Sequence, residues 1–73
     1  LTEHMTYKSR LHEYTLQWAI QRPIYGTSNE GTPHAPKFRS MVEVDGGSYT
    51  SPNAFSHRKK AEQDISKLAI QIR

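Results

Sequence analysis

Residues 37–51 read Lys37-Phe38-Arg39-Ser40-Met41-Val42-Glu43-Val44-Asp45-Gly46-Gly47-Ser48-Tyr49-Thr50-Ser51. Phe38, Ser40, Val42 and Val44 alternate with Arg39, Met41 and Glu43. Because successive side chains of an extended chain leave on opposite faces, one face here is mainly apolar and the other polar apart from Met41. That pattern predicts a half-buried strand. Asp45-Gly46-Gly47 supplies residues that accept positive φ, as a tight hairpin requires, and Ser48 to Ser51, with the β-formers Tyr49 and Thr50, returns as a short strand. A hairpin with one apolar face needs a layer to cover it.

The flanks provide that layer. Upstream, Ile24 to Glu30 reads as a further strand, and Glu30-Gly31-Thr32-Pro33-His34-Ala35-Pro36 has the proline and glycine content of a rigid loop. Before it, Tyr7, Leu11, Tyr14 and Trp18 fall at i, i+4, i+7 and i+11, the spacing of one buried helical stripe, with Pro23 as the stop. Downstream, Pro52 and Asn53 break the strand, Ser56 or His57 is placed to cap a last helix, and Phe55 is placed to plug its base. Ala61, Ile65, Leu68, Ala69 and Ile72 share one face of that helix. The predicted fold class is α+β, in the order α-β-β-β-α: a three-stranded antiparallel sheet with two helices packed on one face. Residues 6–73 form the single domain and residues 1–5 a flanking tail.

Composition narrows the function. With 73 residues, 34% of them hydrophobic, the chain can form only a thin core, and a deep catalytic cavity is not expected. There is no cysteine, which removes disulfides, thiolate nucleophiles and cysteine-based zinc sites and fits a reducing compartment. Apolar runs are far shorter than the ~20 residues that cross a bilayer, and nothing resembles a signal peptide. The start, Leu1 to Met5, lacks an initiator and reads as a piece of a longer protein. The expected setting is intracellular, nuclear or cytoplasmic, without a membrane partner.

The net charge of +3 is unevenly placed. Residues 1–36 carry three basic and three acidic groups, whereas residues 37–73 carry seven basic and four acidic. A basic second half suits a polyanionic partner. Catalysis and metal binding find no support: His12-Glu13 begins like a zinc-protease helix, but Leu16 stands where the second histidine must be. His4, His12, His34 and His57 are scattered over different elements without a ligand spacing. No cofactor, metal or small-molecule substrate is expected. Single-strand binding needs exposed rings in a basic groove, and Tyr7, Tyr14, Trp18 and Phe38 are assigned to the core.

Four ordered segments together carry a resemblance: Tyr7-Lys8-Ser9-Arg10-Leu11-His12-Glu13-Tyr14; Glu30-Gly31-Thr32-Pro33-His34; Phe38 with Val42; and Arg58-Lys59-Lys60-Ala61. From about Tyr7 to Ile72 the chain resembles the double-stranded RNA-binding domain family. His34-Ala35-Pro36-Lys37-Phe38 and Ser51-Pro52 are most similar to the plant members that assist Dicer enzymes in RNA silencing. The resemblance implies a non-enzymatic fold that binds duplex RNA through three regions on one side.

The first region is the edge Ser9, His12, Glu13 and Leu16, at i, i+3, i+4 and i+7 beside the core stripe. In A-form RNA the shallow minor groove exposes 2′-hydroxyls, which Glu13 can accept from, while His12 can reach a base edge. The second is the loop tip Pro33-His34, which by resemblance meets ribose in a second minor groove. The third is Arg58, Lys59 and Lys60 at the start of the last helix, where free N–H groups and the positive dipole end already favour phosphate.

Three departures from the family pattern stand out. Glu62 replaces the lysine that continues the basic signature, so a carboxylate is expected to face the phosphates and weaken binding, leaving Arg58 and Lys59 as its mainstay. Ile65 and Ser66 replace two small alanines, and Leu16 puts an apolar group on the RNA-facing edge. These open an alternative in which the domain docks a Dicer or another double-stranded RNA-binding protein as a homo- or heterodimer. Leu16, Met41 and Ile70 are its candidate apolar contacts, although Ile70 is expected to be partly buried.

Overall fold

The computed structural model describes residues 6–72, and both the expected tail at residues 1–5 and Arg73 lie outside them. Five elements follow in the predicted order: α1 (Tyr7–Gln17), β1 (Ile24–Asn29), β2 (Phe38–Val44), β3 (Gly47–Thr50) and α2 (Arg58–Ile72). The strands form one antiparallel sheet in the order β1-β2-β3. Tyr25 and Tyr49 both lie opposite Val42, which puts all three on the same face. The hairpin turn has positive φ at Asp45 (52°) and Gly46 (76°), the two central positions of the turn type whose twist matches paired strands.

Alternation along β2 behaves as predicted from Ser40 onward, while Phe38 and Arg39 are both half-buried and Phe38 stays outside the core. Ser40, Val42 and Val44 are buried, while Met41 and Glu43 face out. The core joins Val42 and Val44 to Leu11 of α1 and to Ile65 and Ala69 of α2, with Tyr25, Tyr49, Leu68 and Ile70 partly buried around them. Each large aliphatic side chain buried in this way contributes roughly 1.5–3 kcal/mol. The partial burial of Ile70 is as expected.

Three helix-end expectations fail, each for a local reason. Trp18 is 63% exposed rather than part of the core stripe, because α1 ends at Gln17 and Trp18 is its C-cap. Nor does Pro23 stop the helix. Ala19 takes a left-handed φ of 54°, and the Ala19 and Ile20 amides donate to the Leu16 and Thr15 carbonyls at 3.2 and 3.0 Å, closing a Schellman-type end well before the proline. At the other end of the chain, Ile72 is 57% exposed at the last turn of α2. The start of α2 agrees with the expectation in position: His57 stands immediately before Arg58 and its carbonyl accepts from Ala61 N–H at 3.2 Å, the bond that an N-cap residue makes.

Buried polar groups take two places in the core that periodicity assigned to no one. Thr15 is buried in α1 and donates its hydroxyl to the His12 carbonyl at 2.6 Å. Ser66 is fully buried in α2, donates to the Glu62 carbonyl at 2.7 Å, and accepts from the Tyr25 hydroxyl at 2.8 Å. With the serine hydrogen committed to the carbonyl, the phenol must be the donor. Burial raises the Tyr25 pKa above the ordinary 10.0, against the opposing effects of the Ser66 bond and the nearby Lys8.

Two outcomes follow. Ala19→Gly removes a left-handed penalty of about 1–2 kcal/mol at the cost of some unfolded-state entropy, so urea unfolding should show a gain of roughly 0.5–1 kcal/mol with an unchanged m-value. Since the folded state holds the Tyr25 proton more tightly than the unfolded state, that stabilisation is complete below the ordinary tyrosine pKa and is lost as pH rises through the higher folded value. Unfolding free energies measured from pH 8 upward should therefore fall more steeply for the wild type than for Tyr25→Phe.

Candidate nucleic-acid interface

The first turn of α1 is fixed at both its ends. Thr6 Oγ1 caps it by accepting from Ser9 N–H at 3.1 Å, and Gln63 of α2 accepts from the amides of Tyr7 and Lys8 at 2.9 and 3.4 Å. Ser9, His12, Glu13 and Leu16 then project from the side of the helix away from the core, and all four are exposed. This is the continuous edge that their spacing predicts.

The loop is pinned at its neck. Asn29 Oδ1 accepts from Gly31 and Lys37 amides at 2.9 and 3.0 Å, Glu30 N–H donates to the Lys37 carbonyl at 2.8 Å, and Arg39 Nε holds Glu30 at 2.9 Å. Above the neck, Thr32 and Ala35 exchange backbone hydrogen bonds at 3.2 Å, leaving Pro33 and His34 exposed at the tip. A Cβ on Gly31 would collide with the Ala35 carbonyl oxygen, so the close approach of the two sides of the loop requires glycine.

Arg58, Lys59 and Lys60 are all exposed at the start of α2, where the first backbone N–H groups have no intrahelical acceptor. The guanidinium of Arg58 lies 4.9 Å from the centre of the Phe38 ring and reaches the Thr27 carbonyl at 3.4 Å. Phe38 is the first residue of β2 after the loop, and its backbone pairs with that of Phe55 just before α2. This bridge ties the strand that follows the loop to the segment that leads into α2. Lys60 Nζ lies 5.9 Å from the Phe55 ring, toward the protein, whereas Lys59 has no charge partner among the described residues.

Glu62 does not behave as its position in the helix predicts. Its side chain is only 18% exposed; Oε1 pairs with Lys8 Nζ at 2.9 Å, and Oε2 accepts from the Thr27 hydroxyl at 3.4 Å. The carboxylate faces α1 and β1 rather than the open end of α2. Asp64 is likewise engaged, accepting from the Ser51 hydroxyl at 2.7 Å. The expectation of a negative charge set against phosphate is corrected accordingly. Lys8 and Gln63, which carry this arrangement, drew no attention in sequence because each finds its partner on the other helix.

The apolar residues named for an alternative docking surface do not converge. Leu16 (66% exposed) is on α1; Met41 (36%) is on the sheet face opposite the helices; Ile70 lines a shallow groove with Arg10, Leu11 and Tyr14. No group of histidine and acidic side chains among the described residues could hold a metal ion. No helix of the described residues is long and apolar enough to cross a membrane.

Comparison with known proteins agrees with this architecture. The double-stranded RNA binding motif family profile matches residues 7–73. Double-stranded RNA-binding protein 3 of Oryza sativa subsp. japonica is 45% identical over 64 residues, 88% of this chain and 15% of the relative. Double-stranded RNA-binding protein 1 of Arabidopsis thaliana is 38% identical over 65 residues, 89% of this chain and 16% of the relative. The chain thus spans about 15% of the length of these plant proteins. Among solved structures, Arabidopsis HYL1 superposes with a TM-score of 0.87 at 37% identity, covering 93% of this chain and 96% of that one. The first such domain of DRB4 gives 0.82 at 38% identity, with 90% and 92% covered. With the α-β-β-β-α fold, the family match over nearly its whole length and plant relatives of this identity, the chain belongs to the double-stranded RNA-binding motif family.

Proposed function

We propose that this domain binds duplex RNA without sequence selectivity, reading A-form shape over about 16 base pairs through two minor grooves and the major groove between them. Ser9, His12 and Glu13 enter one minor groove, Pro33 and His34 the next, and Arg58, Lys59 and Lys60 take the phosphates between. It binds without catalysing a reaction. The 2′-hydroxyl contacts in both minor grooves exclude DNA.

The observation that carries this reading is the engagement of the acidic groups of α2. Glu62 and Asp64 are held by Lys8 and Ser51, so the cations at the start of the helix act on phosphate without a neighbouring carboxylate directed at the same place. Rigid mounting supports it further: Asn29 pins the neck of the loop, the Arg58 guanidinium lies over the Phe38 ring, and a preformed surface loses little freedom on binding.

HYL1 is described in connection with miRNA processing, and by similarity we extend that setting to the longer protein containing this domain. It would act inside the cell, in nucleus or cytoplasm, in small-RNA processing beside a Dicer or a second double-stranded RNA-binding protein. A sister domain elsewhere in the longer protein would raise the effective concentration of this one at the duplex.

Replacing Arg58 and Lys59 together by alanine should weaken binding to every duplex RNA sequence alike and flatten the slope of log K against log salt by roughly 1–2. Fluorescence anisotropy at several salt concentrations measures both quantities. Unchanged affinity and slope in the double variant would remove the start of α2 from the interface.

A further inference from the structure

We infer that Glu62 is a positioning residue of the RNA-binding surface: its carboxylate fixes the groove-facing edge of α1 relative to the phosphate-facing start of α2. Its replacement by lysine therefore weakens duplex binding even though it adds positive charge. This inference rests on the reading proposed above and names the residue that sets the spacing between two of its contact regions.

Both carboxylate oxygens of Glu62 are committed, one to Lys8 on α1 at 2.9 Å and the other to the Thr27 hydroxyl on β1 at 3.4 Å. The neighbouring Gln63 accepts the amides of Tyr7 and Lys8. Two adjacent residues of α2 thus grip the turn of α1 that leads directly into Ser9 and His12. On the other side, Arg58 precedes Glu62 by four residues on the same side of α2 and reaches the carbonyl of the same Thr27 at 3.4 Å. Lys8, Glu62, Thr27 and Arg58 form one connected strut from the first contact region to the third. Lys8 also lies over the Tyr25 ring at 4.9 Å, which restricts the ammonium further.

An ammonium at position 62 cannot occupy this place. It would meet Lys8 at ion-pair distance with like charge, leave the Thr27 hydroxyl with Ser40 Oγ alone as a partner, and swing outward, removing the side-chain tie between α1 and α2 that Lys8 and Glu62 make. A groove reader depends on the spacing of its contacts, and a loosened first shell loses affinity even when every contacting residue is retained. The opposite account, in which Glu62 repels phosphate, predicts that lysine at this position tightens binding and steepens the salt dependence by about 1.

The 73-residue chain carrying Glu62→Lys, Glu62→Gln, or the exchanged pair Lys8→Glu with Glu62→Lys decides between them, by anisotropy with a duplex RNA of about 20 base pairs at several salt concentrations. The expected result is a loss of about three- to tenfold for Glu62→Lys with no steeper salt slope, less than about twofold for Glu62→Gln, whose amide oxygen can still accept from Lys8 while its NH2 group can donate to the Thr27 hydroxyl oxygen, and recovery to within about twofold in the exchanged pair. Tighter binding by Glu62→Lys and by the exchanged pair would overturn the inference. Where Glu62→Lys alone fails to fold, the exchanged pair and the glutamine carry the test. In the RNA-free protein, the amides of Lys8, Ser9 and Tyr25 should shift in Glu62→Lys and return in the exchanged pair; unmoved amides would overturn the strut without reference to RNA. A wild-type chain that binds no duplex while those amides respond would instead overturn the proposed function and leave the strut as a purely structural device.

Discussion

The burial of one edge of α2 is the constraint on which the rest of the domain depends. Ala61, Ile65 and Ala69 are fully enclosed, and α2 is the element that packs against α1 and against all three strands. Ile65 and Ala69 share the core with Val42 and Val44 from below and Leu11 from the side. Truncating a side chain as enclosed as Ile65 typically costs about 2–5 kcal/mol, a large share of the marginal stability of so small a domain. With α2 seated, its first turn is aimed away from the core, and its flank becomes the support for α1.

Polar groups then convert that packing into a surface of fixed shape. Gln63 caps α1 across the helix interface, Ser66 and Tyr25 satisfy one another beneath α2, and Ser51 ties the end of β3 to Asp64. Arg39 reaches from β2 to Glu30 at the base of the loop and to the Ser51 carbonyl at 2.8 Å. No buried side-chain nitrogen or oxygen among the described residues lacks a partner, as a specific native structure requires. One effect is a sorting of charge: the acidic residues Glu62 and Asp64 are drawn toward protein donors, while Lys59 remains at the exposed start of the helix.

Much of this was legible in the sequence, because the informative signals were local. Alternation from Ser40 to Val44, the Asp45-Gly46 turn and the spacing of Ala61, Ile65 and Ala69 each depend on neighbours a few residues away, and the structure keeps them all; Phe38, half-buried under Arg58, lies outside the core to which the alternation assigns it. The exposed edge of Ser9, His12, Glu13 and Leu16 and the loop tip at Pro33-His34 lie where spacing and composition placed them. Trp18 and Ile72 escaped the pattern since a helix end, not a face, decides their exposure. Ser66 departs from the family pattern, yet it is accommodated in the core because the Tyr25 hydroxyl, 41 residues earlier, donates to it. Glu62 was read by its place on the helix as facing phosphate. Its direction is set by Lys8, 54 residues away in sequence, and no periodicity within α2 can register that.

The central claim is that three separated regions contact one RNA duplex at once. The most direct test is an amide-resolved titration of the isotope-labelled domain with a duplex RNA of about 20 base pairs, repeated with the same sequence as DNA at low and moderate salt. The account predicts shifts at Ser9 and Glu13, at His34 and at Lys59 with RNA alone, all saturating at one stoichiometry. Shifts shared equally with DNA, or confined to Lys59, would contradict it and reduce the interaction to a general attraction between cations and phosphate.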